Sequence, residues 1–143
     1  MSDLIYKDES FKIVGACFEV YKEKGCGYNE AIYHECLEIE FGLQQIPAIS
    51  KPEVQMEYKG HVLGQSFEPD YVCYGKIVIE LKAELEITDR HRAQALKYLK
   101  ATGYQLALLI NFGHHPKIQI ERIVNTTGRI APSPSIEPPD LHA

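Results

Sequence analysis

The chain lacks the cysteine spacing that a zinc site or a disulfide framework needs. Its four cysteines, Cys17, Cys26, Cys36 and Cys73, form no C-x-x-C pair, so buried free thiols are expected. It has no apolar run long enough to span a membrane. Its opening residues, MSDLIYKDES, are too polar for a signal peptide, so a cytoplasmic protein with no membrane association is expected. There is no internal repeat. Positive charge is outnumbered, 15 Lys and Arg against 20 Asp and Glu: the formal net charge is −5, which argues against a strong non-specific grip on nucleic acid. No short basic run interleaved with aromatics marks a base-reading element, so weak or absent sequence specificity is expected.

What is present is ordinary for a single globular core: 143 residues, 45% hydrophobic and 24% charged. Residues 1–128 read as one domain. Residues 129–143, with Pro132, Pro134, Pro138 and Pro139, read as an extended or disordered Pro/Ser-rich tail. The charge is uneven. From Ile87 to Val124 there are six basic residues (Arg90, Arg92, Lys97, Lys100, Lys117, Arg122) against two acids, Asp89 and Glu121. That balance fits a phosphate-bearing substrate as well as it fits a solvated helix face.

Periodicity divides the chain. Ser10–Lys24 is an amphipathic helix with Val14, Cys17, Phe18 and Tyr21 at helical spacing, capped by Asp8 or Ser10. After Gly25-Cys26-Gly27, Asn29 caps a second helix to about Gln44 or Gln45. Its apolar stripe is Ile32, Cys36, Ile39 and Leu43, widened by Leu37 and Phe41. The period then falls to two. Glu53–Tyr58 and His61–Phe67 form a hairpin about Lys59-Gly60, and Asp70–Tyr74 and Lys76–Ala83 are the next two strands. Thr88 caps a helix over Asp89–Thr102 that Gly103 ends. Gln105–Asn111 is a buried strand and Lys117–Val124 an edge strand, open to strand addition. The order is α-α-β-β-β-β-α-β-β, which predicts an α/β fold with a mixed central sheet flanked by helices. The unit Lys76–Asn111 is expected to be a parallel crossover.

The chemistry concentrates in Phe67–Lys82, FEPDYVCYGKIVIELK. Glu80 and Lys82 lie two apart on a strand, so they share a face. Charges on so apolar a strand are costly unless they are paired or bind something. A hairpin brings Asp70 beside Glu80, and two close carboxylates favour a cation. Gln94 and Tyr98 share a face of the following helix, while Ala93, Leu96 and Leu99 read as its apolar face. Glu30 opens the second helix, where its dipole favours a carboxylate, and Tyr33 follows on roughly the same side. Plainer accounts exist for each. Asp70 and Pro69 can make an ordinary turn. Glu80 and Lys82 can be an ion pair on a half-exposed strand. Glu30 can simply answer the helix dipole, Tyr33 can pack, and Gln94 can be solvated. His34, His61 and His91 have no metal-ligand spacing, and His114-His115 reads as a surface turn.

Taken together, Asp70 with Glu80-Leu81-Lys82, preceded by Pro69, resembles the PD-(D/E)XK signature of a large nuclease superfamily. Gln94-x-x-x-Tyr98 resembles the Q-x-x-x-Y element of its exonuclease-like branches. Gly27-x-x-Glu30-x-x-Tyr33 resembles the motif of the small bacterial GxxExxY proteins, as do the stretches IVIELKA, QALKYLKATG and LLINFG. The resemblance runs from about Gly25 to Val124 and implies a restriction-endonuclease-like core. It implies a nuclease that hydrolyses phosphodiester bonds, of DNA in preference to RNA, with Mg²⁺ or Mn²⁺ activating a water. Asp70, Glu80 and the backbone carbonyl of Leu81 would ligate the ion, with Glu30 as an outer or second-metal carboxylate. Lys82 would orient the attacking water, and Gln94 and Tyr98 would position that water or a phosphate. Arg90, Arg92, Lys97 and Lys100 are the candidate contacts to the nucleic-acid backbone. Two alternatives are kept: a non-catalytic binding or assembly module, working as a homodimer or with a protein partner, and a metal-dependent hydrolase of a small phosphate ester.

Overall fold

The structure, a computed structural model, describes residues 4–126; the expected Pro/Ser-rich tail lies outside them. The chain runs α1 (Lys7–Lys24), α2 (Glu30–Leu43), β1 (Ala48–Ser50), β2 (Val54–Tyr58), β3 (His61–Phe67), β4 (Tyr71–Cys73), β5 (Ile77–Lys82), α3 (Asp89–Thr102), β6 (Leu106–Asn111) and β7 (Gln119–Val124). Five strands form one mixed sheet in the order β1-β4-β5-β6-β7. Only β5 and β6 are parallel, and α3 connects them, as a strand–helix–strand crossover requires. Every residue of β6, LALLIN, is buried, which is how a central strand covered on both faces reads in sequence. β7 is an edge of that sheet, as its alternation indicated. No described helix is long and apolar enough to cross a membrane. The four cysteines are free.

Two features of the sheet differ from the sequence reading. A further strand, β1, pairs antiparallel with β4; at three residues it is too short to carry a period. The hairpin β2–β3 does not join the central sheet but stands as a separate two-stranded sheet. Its buried side packs on α3: Val54, Met56 and Phe67 cluster with Tyr98 and Leu99.

The helices also bury other faces than expected. α2 turns Tyr33, His34, Leu37 and Phe41 inward, while Ile39 and Leu43 are 64% and 74% exposed. Tyr33 and His34 prevail because each has a buried polar partner as well as a ring to stack. The Tyr33 hydroxyl donates to the Gly25 carbonyl and its ring stacks on Phe112. The His34 ring stacks on Tyr71. Tyr33 is thus a packing residue that holds the Gly25–Gly27 turn, where Gly27 takes φ +116, a conformation glycine tolerates without strain. In α1 neither Asp8 nor Ser10 caps the helix; it starts after Tyr6, with no side-chain cap. Burial of Ile5 and Tyr6 fixes that entry instead, and Ser10 is itself buried. In α3 the inward residues are His91, Ala95 and Leu99, and Ala93 is exposed.

The strand end that leads out of β5 is held tightly. The Glu84 N–H donates to Asn111 Oδ1 at 3.0 Å, and Asn111 Nδ2 donates back to the Glu84 carbonyl at 2.9 Å. A Cβ at Gly113 would fall 2.5 Å from both the nitrogen and the oxygen of Glu84. Gly113→Ala is therefore expected to cost about 3 kcal/mol of stability. Gly15→Ala, in the exposed middle of α1 with nothing within 4 Å of the new Cβ, should gain up to about 1 kcal/mol. Urea denaturation of the two variants checks both signs.

Candidate functional site

The site forms where β5 runs past the start of β4. The antiparallel pairing of these strands stops at Tyr71 with Ile79. Glu80, Leu81 and Lys82 thus continue beyond it on that edge, and Asp70 faces them. The Leu81 N–H donates to Asp70 Oδ2 at 2.8 Å. A strand residue points its N–H and C=O to the same edge, and successive residues alternate edges. The Leu81 carbonyl therefore faces the Asp70 side. The Lys82 carbonyl points the other way and accepts the Phe112 N–H at 2.8 Å.

Asp70 is fixed from all sides. Its carbonyl accepts the Lys51 N–H at 2.9 Å and lies 3.2 Å from His34 Nε2. Its side chain and backbone both act electrostatically on Glu80. Asp70 thus does more than make a turn with Pro69. Burial pushes the Glu80 carboxyl up to about 8, and the neighbouring Asp70 adds to the rise against the opposing pull of Lys82. Lys82 forms no contact ion pair with Glu80 among the described residues. The same-face pair is therefore not a simple surface salt bridge.

Glu30, in the first turn of α2, reaches the same corner. Its carboxylate senses Lys82, Asp70, Glu84 and the Ala83 backbone. Burial outweighs the lysine and raises its pKa. From the opposite side α3 contributes Gln94 and Tyr98. Gln94 Nε2 donates to the Tyr98 hydroxyl at 3.4 Å, and the Tyr98 ring stacks on Phe67 of the hairpin, centroids 3.9 Å apart. The separate sheet β2–β3 thereby positions Tyr98. Glu80, Lys82, His91, Gln94, Ala95, Tyr98 and Leu109 line one cavity of about 10 Å³, the space one water molecule fills.

The basic candidates divide. Arg90 and Lys97 line a shared depression with Gln94 and Tyr98. They stand seven residues apart, about 10 Å along the helix axis. Arg92 is committed elsewhere: Nε and Nη2 hold the two Glu121 oxygens at 2.6 and 2.8 Å, and Nη1 holds Asp89 at 2.7 Å. It ties α3 to β7. Lys100 lies in the last turn of α3 and does not line that depression. His114 and His115 fall in the turn after β6, where Tyr21 donates to the His114 carbonyl.

Two histidines belong to the site's surroundings that spacing did not mark. His34 supports Asp70 from one turn beyond Glu30. His91 lies on the Gln94–Tyr98 side of α3, and the i, i+3, i+7 spacing of the three residues is the signal that would have found it.

Chemically, the corner suits a hard divalent cation. No three His, Cys, Asp or Glu side chains among the described residues are grouped to hold a metal. Magnesium-type sites, however, need only one or two carboxylates, completed by waters and substrate oxygens. Asp70, Glu80 and the outward Leu81 carbonyl meet that need.

A family model described as PD-(D/E)XK nuclease superfamily matches residues 7–123. No curated protein and no solved structure matches.

The raised Glu80 carboxyl makes a stability prediction. The folded chain holds this proton to about pH 8, whereas an unfolded chain releases it near 4.3. Stability is therefore lost as pH rises between these values. Glu80→Gln should be more stable than wild type at pH 8, by on the order of 5 kcal/mol, with the gain fading towards pH 5. Thermal melts of both proteins across that range test it.

Proposed function

This chain belongs to the PD-(D/E)XK nuclease superfamily, and on that footing we propose that it hydrolyses phosphodiester bonds of nucleic acid, DNA in preference to RNA, in the manner of the small GxxExxY branch. The observation that carries this reading is the Asp70–Glu80 pair set beside the outward Leu81 carbonyl. Those three groups would hold Mg²⁺ or Mn²⁺. Members of this superfamily typically use divalent cations. When bound, such an ion neutralises phosphoryl oxygens and lowers the pKa of a water.

The chain's own residues do the rest. The Lys82 ammonium projects from the same strand face as Glu80, beside the water-sized cavity. It orients a nucleophile there and offsets the negative charge that builds on the phosphorus oxygens in the transition state. Gln94 supplies an amide donor at the cavity wall, held in place by the Tyr98 hydroxyl. Glu30 brings a further carboxylate to the corner from the α2 side, within electrostatic reach of Lys82 and Asp70. Arg90 and Lys97 lie along the path a backbone would follow across α3, positioning phosphates without reading bases.

Calorimetric titration of Mn²⁺ and Mg²⁺ into wild type and Glu80→Ala, with DNA cleavage measured on the same samples, tests the reading. Binding and cleavage should both vanish in the variant, and Lys82→Ala should lower kcat by about 10²–10³-fold, the scale of losing one transition-state charge partner. Binding without cleavage of any polymer in wild type would redirect the reading to a small phosphate ester. Absence of binding would overturn it. Arg90→Ala and Lys97→Ala should each reduce the slope of log affinity against log salt by about 0.9 on duplex DNA.

A further inference from the structure

His91 occupies a place that an ordinary capping residue does not need. It stands at the third position of α3, where it closes a capping box with Thr88. The Thr88 N–H donates to His91 Nδ1 at 3.0 Å, and the His91 N–H donates to Thr88 Oγ1 at 3.4 Å. A backbone N–H can only donate, so Nδ1 is the acceptor and the ring proton resides on Nε2. That Nε2 lies 3.2 Å from Glu84 Oε2. The ring is 9% exposed, and it lines the same cavity as Glu80, Lys82, Gln94 and Tyr98.

Its partner is an anchored point. The Glu84 backbone is clamped on both its N–H and its carbonyl by the buried Asn111 side chain, and it passes so close to Gly113 that a Cβ there would meet it at 2.5 Å. Glu84 follows Lys82 by two residues. The His91–Glu84 contact therefore joins the first turn of α3 to the exit of β5. At its other end α3 is tied to the hairpin by the Tyr98–Phe67 stack, and along its side to β7 by Arg92 and Glu121.

We propose that His91 is a positioning residue. By holding Glu84 through Nε2–H, it sets where Gln94 and Tyr98 of α3 stand relative to Glu80 and Lys82 of β5. The inference rests on the reading of this corner as a phosphodiesterase site. The contact acts on geometry rather than on substrate grip, so its loss falls on kcat while KM stays close to wild type.

The substitution that isolates this role is His91→Gln. Glutamine is an ordinary third-position partner of a threonine cap, so the helix start survives, but its flexible amide no longer fixes a donor at Glu84 as the rigid ring does. His91→Gln, Glu84→Ala and the double variant are compared for kcat and KM on a DNA substrate with Mn²⁺. All three should lose tenfold or more in kcat by similar amounts, with KM within threefold, because each breaks one shared contact. A wild-type kcat in His91→Gln, or losses that multiply in the double variant, would overturn the proposal. If His91→Gln fails to fold, Glu84→Ala, at a half-exposed side chain, decides the same question. Nitrogen-15 NMR gives a readout independent of activity. It should show His91 as the Nε2–H tautomer, and the Gln94 side-chain amide should be sharp in wild type and broadened or shifted in His91→Gln. A wild type that cleaves no phosphodiester would defeat the functional reading alone. The positioning role would then stand or fall with the Gln94 amide, and an unmoved signal would refute it.

Discussion

Two carboxyl groups meet at the end of β5, one of them held by a backbone hydrogen bond. The Leu81 N–H donates to one Asp70 oxygen at 2.8 Å, and Glu80 senses Asp70 beside it. Like charges so close in a water-poor corner would separate if the chain allowed it. It does not, because β5 is locked between β4 and the wholly buried β6, and because Lys51 and His34 both hold the Asp70 carbonyl. The cost appears as a Glu80 proton retained towards pH 8. Strain of this kind, kept by surroundings that over-determine it, is characteristic of a working site. Around this pair, α2 brings Glu30 within electrostatic reach, and the detached hairpin stacks Phe67 on Tyr98.

The strands and helices around this corner were legible because each announces itself locally. IVIELK is a buried run broken by its two charged residues, and Thr88 and Gly103 bracket α3 at both ends. Asp70, Glu80 and Lys82 could be placed together because the turn between β4 and β5 is short, so sequence neighbours stay neighbours in space. What was not legible depends on distant partners. Arg92 looks like any solvated helix cation until Glu121, 29 residues on, takes it in a fork. The inward face of α2 is chosen by Gly25, Tyr71 and Phe112, none of them on the helix, and hydrophobicity alone favours Ile32 and Ile39 instead. His34 meets the Asp70 carbonyl 36 residues away, a partner that no local period announces.

The charge balance of the chain now has a structural reading. The acids and the bases around the site are sorted: Asp70, Glu80, Glu30 and Glu84 gather about Lys82, while Arg90 and Lys97 face out from α3. On the proposed reading, a polyanion meeting this surface is drawn to α3 and repelled at the corner where its bond must be cut. A divalent cation between Asp70 and Glu80 removes that repulsion and adds attraction to the phosphate. Metal and nucleic acid then each strengthen the other's binding by the same factor, as thermodynamic linkage demands. A net charge of −5, which disfavours indiscriminate binding, is for such a protein a means of making substrate affinity conditional on the ion that the chemistry also requires.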